Sequence, residues 1–197
     1  SELTEEILKE NGYSLNKDQF DKVFEEHRQM ARDARKATGA SGWKDTDFTL
    51  NTDKTIFTGY NKLEDDAEVI ALVVGSEQVN AMNEGQSGIV VLDKTPFYAE
   101  GGGQTGDRGE FTADEMLARV TDTHKLNNGI YLHDIDLVKG SISVGDTIRA
   151  KVNADQRKNT AKNHTCTHLL HKVLKEILGD HVNQAGSYVS KDRLRFD

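Results

Sequence analysis

Hydrophobic and polar positions change their period twice along this chain. Over residues 2–38, Phe20, Val23, Phe24, His27, Ala31 and Ala34 recur at helical spacing and draw one apolar stripe. Thr4 can cap a short first helix that stops at Gly12, and Asn16 with Gln19 predicts the capping box of a longer second one. Arg28, Arg32, Arg35 and Lys36 crowd the end of that second helix, which complements its dipole. Small residues, Gly39-Ala-Ser-Gly42, then mark a boundary. From about Phe48 to Val152 the pattern becomes one of short β-branched runs separated by Gly, Asn, Asp and Ser clusters. It predicts strands at residues 55–58, 69–75, 89–93, 129–134 and 147–152. Such spacing without long helices suits a small antiparallel barrel.

The helical period returns at Ala154. Ala161, Leu169, Leu170, Val173, Leu174, Ile177 and Leu178 predict an amphipathic helix ending at Gly179. Two strand-like segments follow, residues 182–190 and 193–197, with Lys191-Asp192 between them. The expected fold class is therefore α+β. Helices occupy residues 1–45, a β-barrel residues 46–153, and the start of an α+β unit residues 154–197.

Composition narrows the function classes. The 197 residues carry 33 acidic against 25 basic side chains, a net charge of -8. A general electrostatic grip on nucleic acid usually needs a basic protein, so any RNA contact must be local, and DNA is not expected as a partner. A single cysteine, Cys166, permits no internal disulfide and suits a reducing cytoplasm. No apolar run approaches the roughly 18–20 residues that span a bilayer, so no membrane is expected. The acidic N-terminus is not that of a signal peptide. With no starting methionine and a strand pattern at its last residues, the chain reads as a piece of a larger protein.

Three segments could carry chemistry. In the first, His164-Thr-Cys-Thr-His168, two histidines at i and i+4 share one helix face and can share a metal. Two ligands do not fill a zinc shell, which needs three or four. His171 lies near the same face, at i+7 from His164. A zinc protease is excluded, because Thr165 stands where HExxH needs its glutamate. The second segment runs from Thr95 to Gly109 and holds five glycines in its last nine residues, with the chain's only proline near its start. Such a loop can offer backbone N–H groups to a ligand or simply turn a barrel corner. No Gly-Lys-Ser/Thr follows, so it is not a Walker loop. The third segment, Asn183 to Ser190, presents Gln184 and Ser187 near a strand start and says little alone.

Together the three are specific. Thr-Pro-Phe-Tyr-Ala-Glu-Gly-Gly-Gly-Gln-Thr-Gly-Asp, then Asn-His-Thr-Cys-Thr-His-Leu-Leu-His, then Gln-Ala-Gly-Ser-Tyr-Val and Arg-Leu-Arg-Phe-Asp resemble alanyl-tRNA synthetase. The resemblance covers essentially the whole chain. It implies that residues 1–45 end a helical tRNA-recognition region. Residues 46–153 would then form the barrel, and residues 154–197 would begin the zinc-dependent editing domain. The family attaches alanine to tRNA(Ala) with ATP and hydrolyses mischarged seryl- and glycyl-tRNA(Ala). An alanine pocket gains only about 10–200-fold selectivity from one methyl or hydroxyl, so a second, hydrolytic sieve is needed.

The resemblance assigns His164 and His168 as zinc ligands. It assigns Thr165, Gln184, Gly101, Gly102 and Gly103 to the editing pocket, and leaves the catalytic group unknown. The family's second ligand pair, from a Cys-x-x-x-His motif, has no counterpart here. Zinc is therefore expected to be weak or absent in this chain alone. ATP and magnesium belong to a ligase domain that the chain lacks, so the piece itself is expected to be inactive. The implied partners are tRNA(Ala), through the whole protein, and the rest of the synthetase chain. The alternative is a freestanding trans-editing or tRNA-binding module, whose known examples lack the helical lead-in.

Overall fold

The computed structural model describes Leu50 and residues 52–197. The two helices expected before residue 39 lie outside the described residues. Residues 51–197 form one compact unit.

Six antiparallel strands close on themselves. In chain order they are β2 (Glu64–Val74), β5 (Ser87–Leu92), β7 (Gly109–Ala113), β8 (Met116–Lys125), β9 (Tyr131–Lys139) and β11 (Thr147–Val152). Neighbours run β11-β7-β8-β9-β5-β2, and β2 pairs again with β11 to complete the ring. Closure removes the sheet edges that would otherwise invite strand addition. Register shifts between Val69 and Ala71, and twice along β8 and β9, bend the long strands round the barrel. Short strands decorate the ring: β1 (Ile56–Phe57), β3 (Glu77–Val79), β4 (Ala81–Asn83), β6 (Lys94–Thr95) and β10 (Ser141–Ser143).

Alternation explains the closure. Strand β11, Thr-Ile-Arg-Ala-Lys-Val, buries every second residue, and Ile148, Ala150 and Val152 point inward. They meet Leu72, Val90, Leu92, Phe97, Phe111, Val120, Ile135 and Leu137 in one core. A histidine sits in that core. His133 is fully buried and meets Phe97 and Phe111 edge-on, with centroids 5.6 and 5.3 Å away. Its Nδ1 donates to Val90 O at 2.9 Å, so its Nε2, 2.8 Å from Thr95 Oγ1, accepts from that hydroxyl. Desolvation pushes its pKa down to about 4. The neutral ring thereby anchors Thr95, where the glycine-rich segment begins.

Beyond the barrel, α1 (Ala154–Leu178) starts at Asn153, whose side chain accepts from Gln156 N at 3.0 Å. It ends at Gly179, as the sequence predicts. Strands β12 (Ser187–Val189) and β13 (Leu194–Phe196) then form an antiparallel hairpin. The tail strands are shorter than the pattern suggests, since residues 182–186 are not strand. The helix also departs from its expected amphipathic role. Leu169, Leu170, Val173, Ile177 and Leu178 are exposed, whereas its buried residues are Thr160 and Thr167. The face turned to the rest of the unit is polar.

Candidate functional site

The glycine-rich segment reaches the site from the barrel side. Gly101 and Gln104 bond each other through their main chains at 3.1 and 3.0 Å, closing a tight turn over Gly102 and Gly103. Both glycines have positive φ, +58° and +82°. Their surroundings differ. A Cβ at Gly102 would meet nothing within 4 Å, whereas one at Gly103 would stand 2.3 Å from Ser187 O. The turn is thus pressed against β12. Val189 N donates to Gly103 O at 2.8 Å, and Thr105 N to Val189 O at 3.0 Å. Ser187 Oγ reaches Gly102 O at 3.4 Å.

The helix is fixed to the same loop by its polar face. Arg157, one turn into α1, donates from Nε to both carboxylate oxygens of Asp107 at 3.0 and 2.8 Å, and Nη2 bonds the same carboxylate. The guanidinium also caps Gly59 O at 3.0 Å and Pro96 O at 2.8 Å. Asp107 is buried and accepts from Tyr98 N at 2.7 Å. Two turns further along, His164 Nδ1 lies 2.6 Å from Oε1 of the buried Gln104. Asn163 Nδ2 donates to Ser190 O at 2.8 Å, so the helix also grips the hairpin. Arg157, Thr160, His164, Thr167 and His171 follow one another at i+3 and i+4 steps, which makes a polar stripe rather than an apolar one.

The candidate residues divide accordingly. His164 and His168 share a face, their ring centroids 5.1 Å apart. Gly101, Gly102 and Gly103 lie in the turn that carries Gln104 to His164. Thr165 is exposed and donates its hydroxyl to Ala161 O, within its own helix. Gln184 is exposed before the hairpin. His171 turns elsewhere: its ring packs 5.2 Å from Phe196, and its Nε2 lies 3.4 Å from Val182 O. Cys166 is free and exposed. Among the described residues no group of three or more His, Cys, Asp or Glu side chains gathers as a metal site. Two imidazoles on one helix face are of a kind that can bind zinc, but they supply only two of the three or four ligands that a zinc shell needs.

Sequence reasoning missed Gln104, Asp107, Arg157 and Asn163. Only Arg157 had a local signal, the polar stripe of α1, overshadowed by the more conspicuous apolar one. It also missed a second histidine cluster beside the loop. His124 on β8 faces Asp134 Oδ2 at 3.2 Å, Glu100 Oε2 at 3.5 Å and Asp122 Oδ2 at 3.7 Å. The hydrogen bond with Asp134 raises its pKa, opposed by partial burial and helped by the other carboxylates.

The family described as tRNA synthetases class II (A) matches residues 1–156. Proteins named alanine–tRNA ligase match the whole chain. The one from Alkaliphilus oremlandii is 44% identical over 199 residues, that from Cupriavidus necator 45% over 197, and that from Caldicellulosiruptor saccharolyticus 42% over 197. The chain spans 22% of the length of each of these relatives. Among the described residues no helix is long and apolar enough to cross a membrane. The chain belongs to the class II (A) tRNA synthetase family, and its likeness to alanine–tRNA ligases runs its full length.

Proposed function

We propose that this segment supplies one wall of a hydrolytic site that clears mischarged seryl- and glycyl-tRNA(Ala) within an alanine–tRNA ligase. The observation that carries the reading is the joining of three distant segments, the glycine turn, the His164–His168 face and the β12–β13 hairpin, in one polar cluster. A barrel corner alone would not need a histidine held against it by a buried amide. The cluster contains donors and acceptors suited to an ester and a ribose, and the glycine turn leaves open space over Gly102. His164 and His168 would hold zinc by ring nitrogens, and the bound ion would supply Lewis-acid polarisation of the ester carbonyl. Thr165 and Gln184 complete the proposed pocket, with the threonine hydroxyl recognising the serine side chain.

Alanine activation, ATP and magnesium belong, on this reading, to a domain outside these residues. The segment alone neither aminoacylates nor deacylates, and tRNA(Ala) is engaged through the whole protein in the cytoplasm. The exposed apolar face of α1 favours this over a freestanding module, since a solitary domain rarely leaves five large apolar side chains in water along one helix. A bulky replacement at Gly102 in the full-length ligase tests the reading. Deacylation of seryl-tRNA(Ala) should fall while alanine activation holds. Equal loss of both, or no loss of deacylation, would count against it.

A further inference from the structure

We infer that Gln104 is a positioning residue for His164: by accepting from Nδ1, its amide oxygen selects the ring tautomer that leaves the Nε2 lone pair free for a metal ion. The inference rests on the histidine pair being a ligand pair, and extends that reading to a residue in the barrel. The contact is short, 2.6 Å, and its acceptor is the buried Gln104 Oε1. An amide oxygen can only accept, so the proton must sit on Nδ1. In a neutral imidazole that choice strips the proton from Nε2, the nitrogen on the far side of the ring.

Gln104 is well placed to enforce this. Its main chain closes the glycine turn with Gly101, and the next residue bonds Val189 O. Its side chain therefore springs from backbone fixed on two sides. The helix that presents His164 is pinned to the same loop by Arg157 and Asp107. Neither partner can drift without breaking these contacts. A neutral amide suits a buried position, because it orients the ring without adding a desolvated charge. The glycine turn then has a second task beyond exposing its own N–H groups: it delivers an oxygen to the ring.

Nitrogen NMR of histidine-labelled protein without metal reads the tautomer directly, with the His164 signals assigned by their loss in His164→Gln. The wild type should show His164 mainly protonated at Nδ1. Gln104→Leu should move it toward the Nε2-protonated form, and Gln104→Glu, which keeps an acceptor oxygen, should restore Nδ1 protonation. Titration with zinc alone should then perturb Nε2 of His164 at about 10–100-fold higher concentration in Gln104→Leu than in wild type. Nε2 protonation in the wild type, or an unchanged tautomer in a folded Gln104→Leu, would overturn the inference. If the leucine variant fails to fold, the wild-type tautomer decides by itself. If zinc perturbs neither His164 nor His168 in the full-length ligase, the ligand reading of the pair falls, while the tautomer result still judges Gln104.

Discussion

The barrel and the helix that follows it are held by opposite means. In the barrel, alternating residues send Phe111, Leu72 and Ile148 into an apolar interior, where Phe97 joins them from the segment after β6. On α1 the large apolar side chains face water, and the contacts that fix it are directional: Arg157 to Asp107, His164 to Gln104, Asn163 to Ser190. Burial is not directional and tolerates small slides of one element over another. Hydrogen bonds and ion pairs do not. A helix that must present ring nitrogens at a set angle gains more from the second kind of attachment, at some cost in stability. The barrel thus works as a rigid frame, and α1 as a part bolted to it through polar groups.

Mutations should separate the two regimes, the frame giving the largest effect. Phe111→Ala opens a cavity among Phe97, His133 and the strands and should destabilise the unit by about 3–5 kcal/mol in urea titration. Asp107→Ala, which strands the Arg157 guanidinium, should cost about 3 kcal/mol and loosen α1 before the barrel. Hydrogen exchange would show the helix amides exposed while β8 and β9 stay protected. Equal exposure of both would deny that the pair is the bolt.

The two barrel histidines give a pH test with opposite signs. His133 has its pKa lowered to about 4 in the folded state, against about 6.5 when unfolded. The unfolded chain therefore binds the extra proton first as pH falls. Its contribution is whole above pH 6.5 and is lost down to about pH 4, roughly 3 kcal/mol in all. His124 runs the other way, since its folded pKa is raised by Asp134. Its contribution is present below the unfolded value and fades as pH rises through the folded one. Stability curves of His133→Gln and His124→Gln against wild type should flatten on the acid and neutral sides respectively.

Smaller effects sharpen the site boundary. Gly103→Ala should cost more than Gly102→Ala, because only the former meets Ser187 O; the second bears just the left-handed backbone penalty of about 1–2 kcal/mol. Ile177→Lys, 73% exposed on the outer face of α1, should leave the stability of this chain within about 0.5 kcal/mol of wild type. A large loss would mean that the apolar face is covered in solution.

Much of the frame was legible because its pattern is local. Strand β11 alternates cleanly and occupies the predicted residues 147–152. Strand β2 begins five residues earlier than its apolar run suggests, because Glu64 and Asp66 lie on its outer face and pair there with Arg149. Strand β8 escaped notice altogether: its inward Ala118 and Val120 are small, and its other side carries Asp122 and His124. At the site, the His164–His168 spacing is a helix property and could be read from five residues. Gln104 could not, since it lies 60 residues from His164 and gains its role only when the glycine turn meets β12. The apolar stripe of α1 misled for a related reason. Amphipathicity shows that a helix has two faces but not which one the rest of the unit will hold.

The proposed role of the polar cluster at the barrel's edge is hydrolysis and not alanine transfer. Its most direct test is deacylation of seryl-tRNA(Ala) by the full-length ligase carrying His164→Ala, measured beside alanine activation by the same preparation. Deacylation should fall at least about a hundredfold, roughly 2.7 kcal/mol, with activation unchanged. Undiminished deacylation, or a parallel fall in activation, would contradict it.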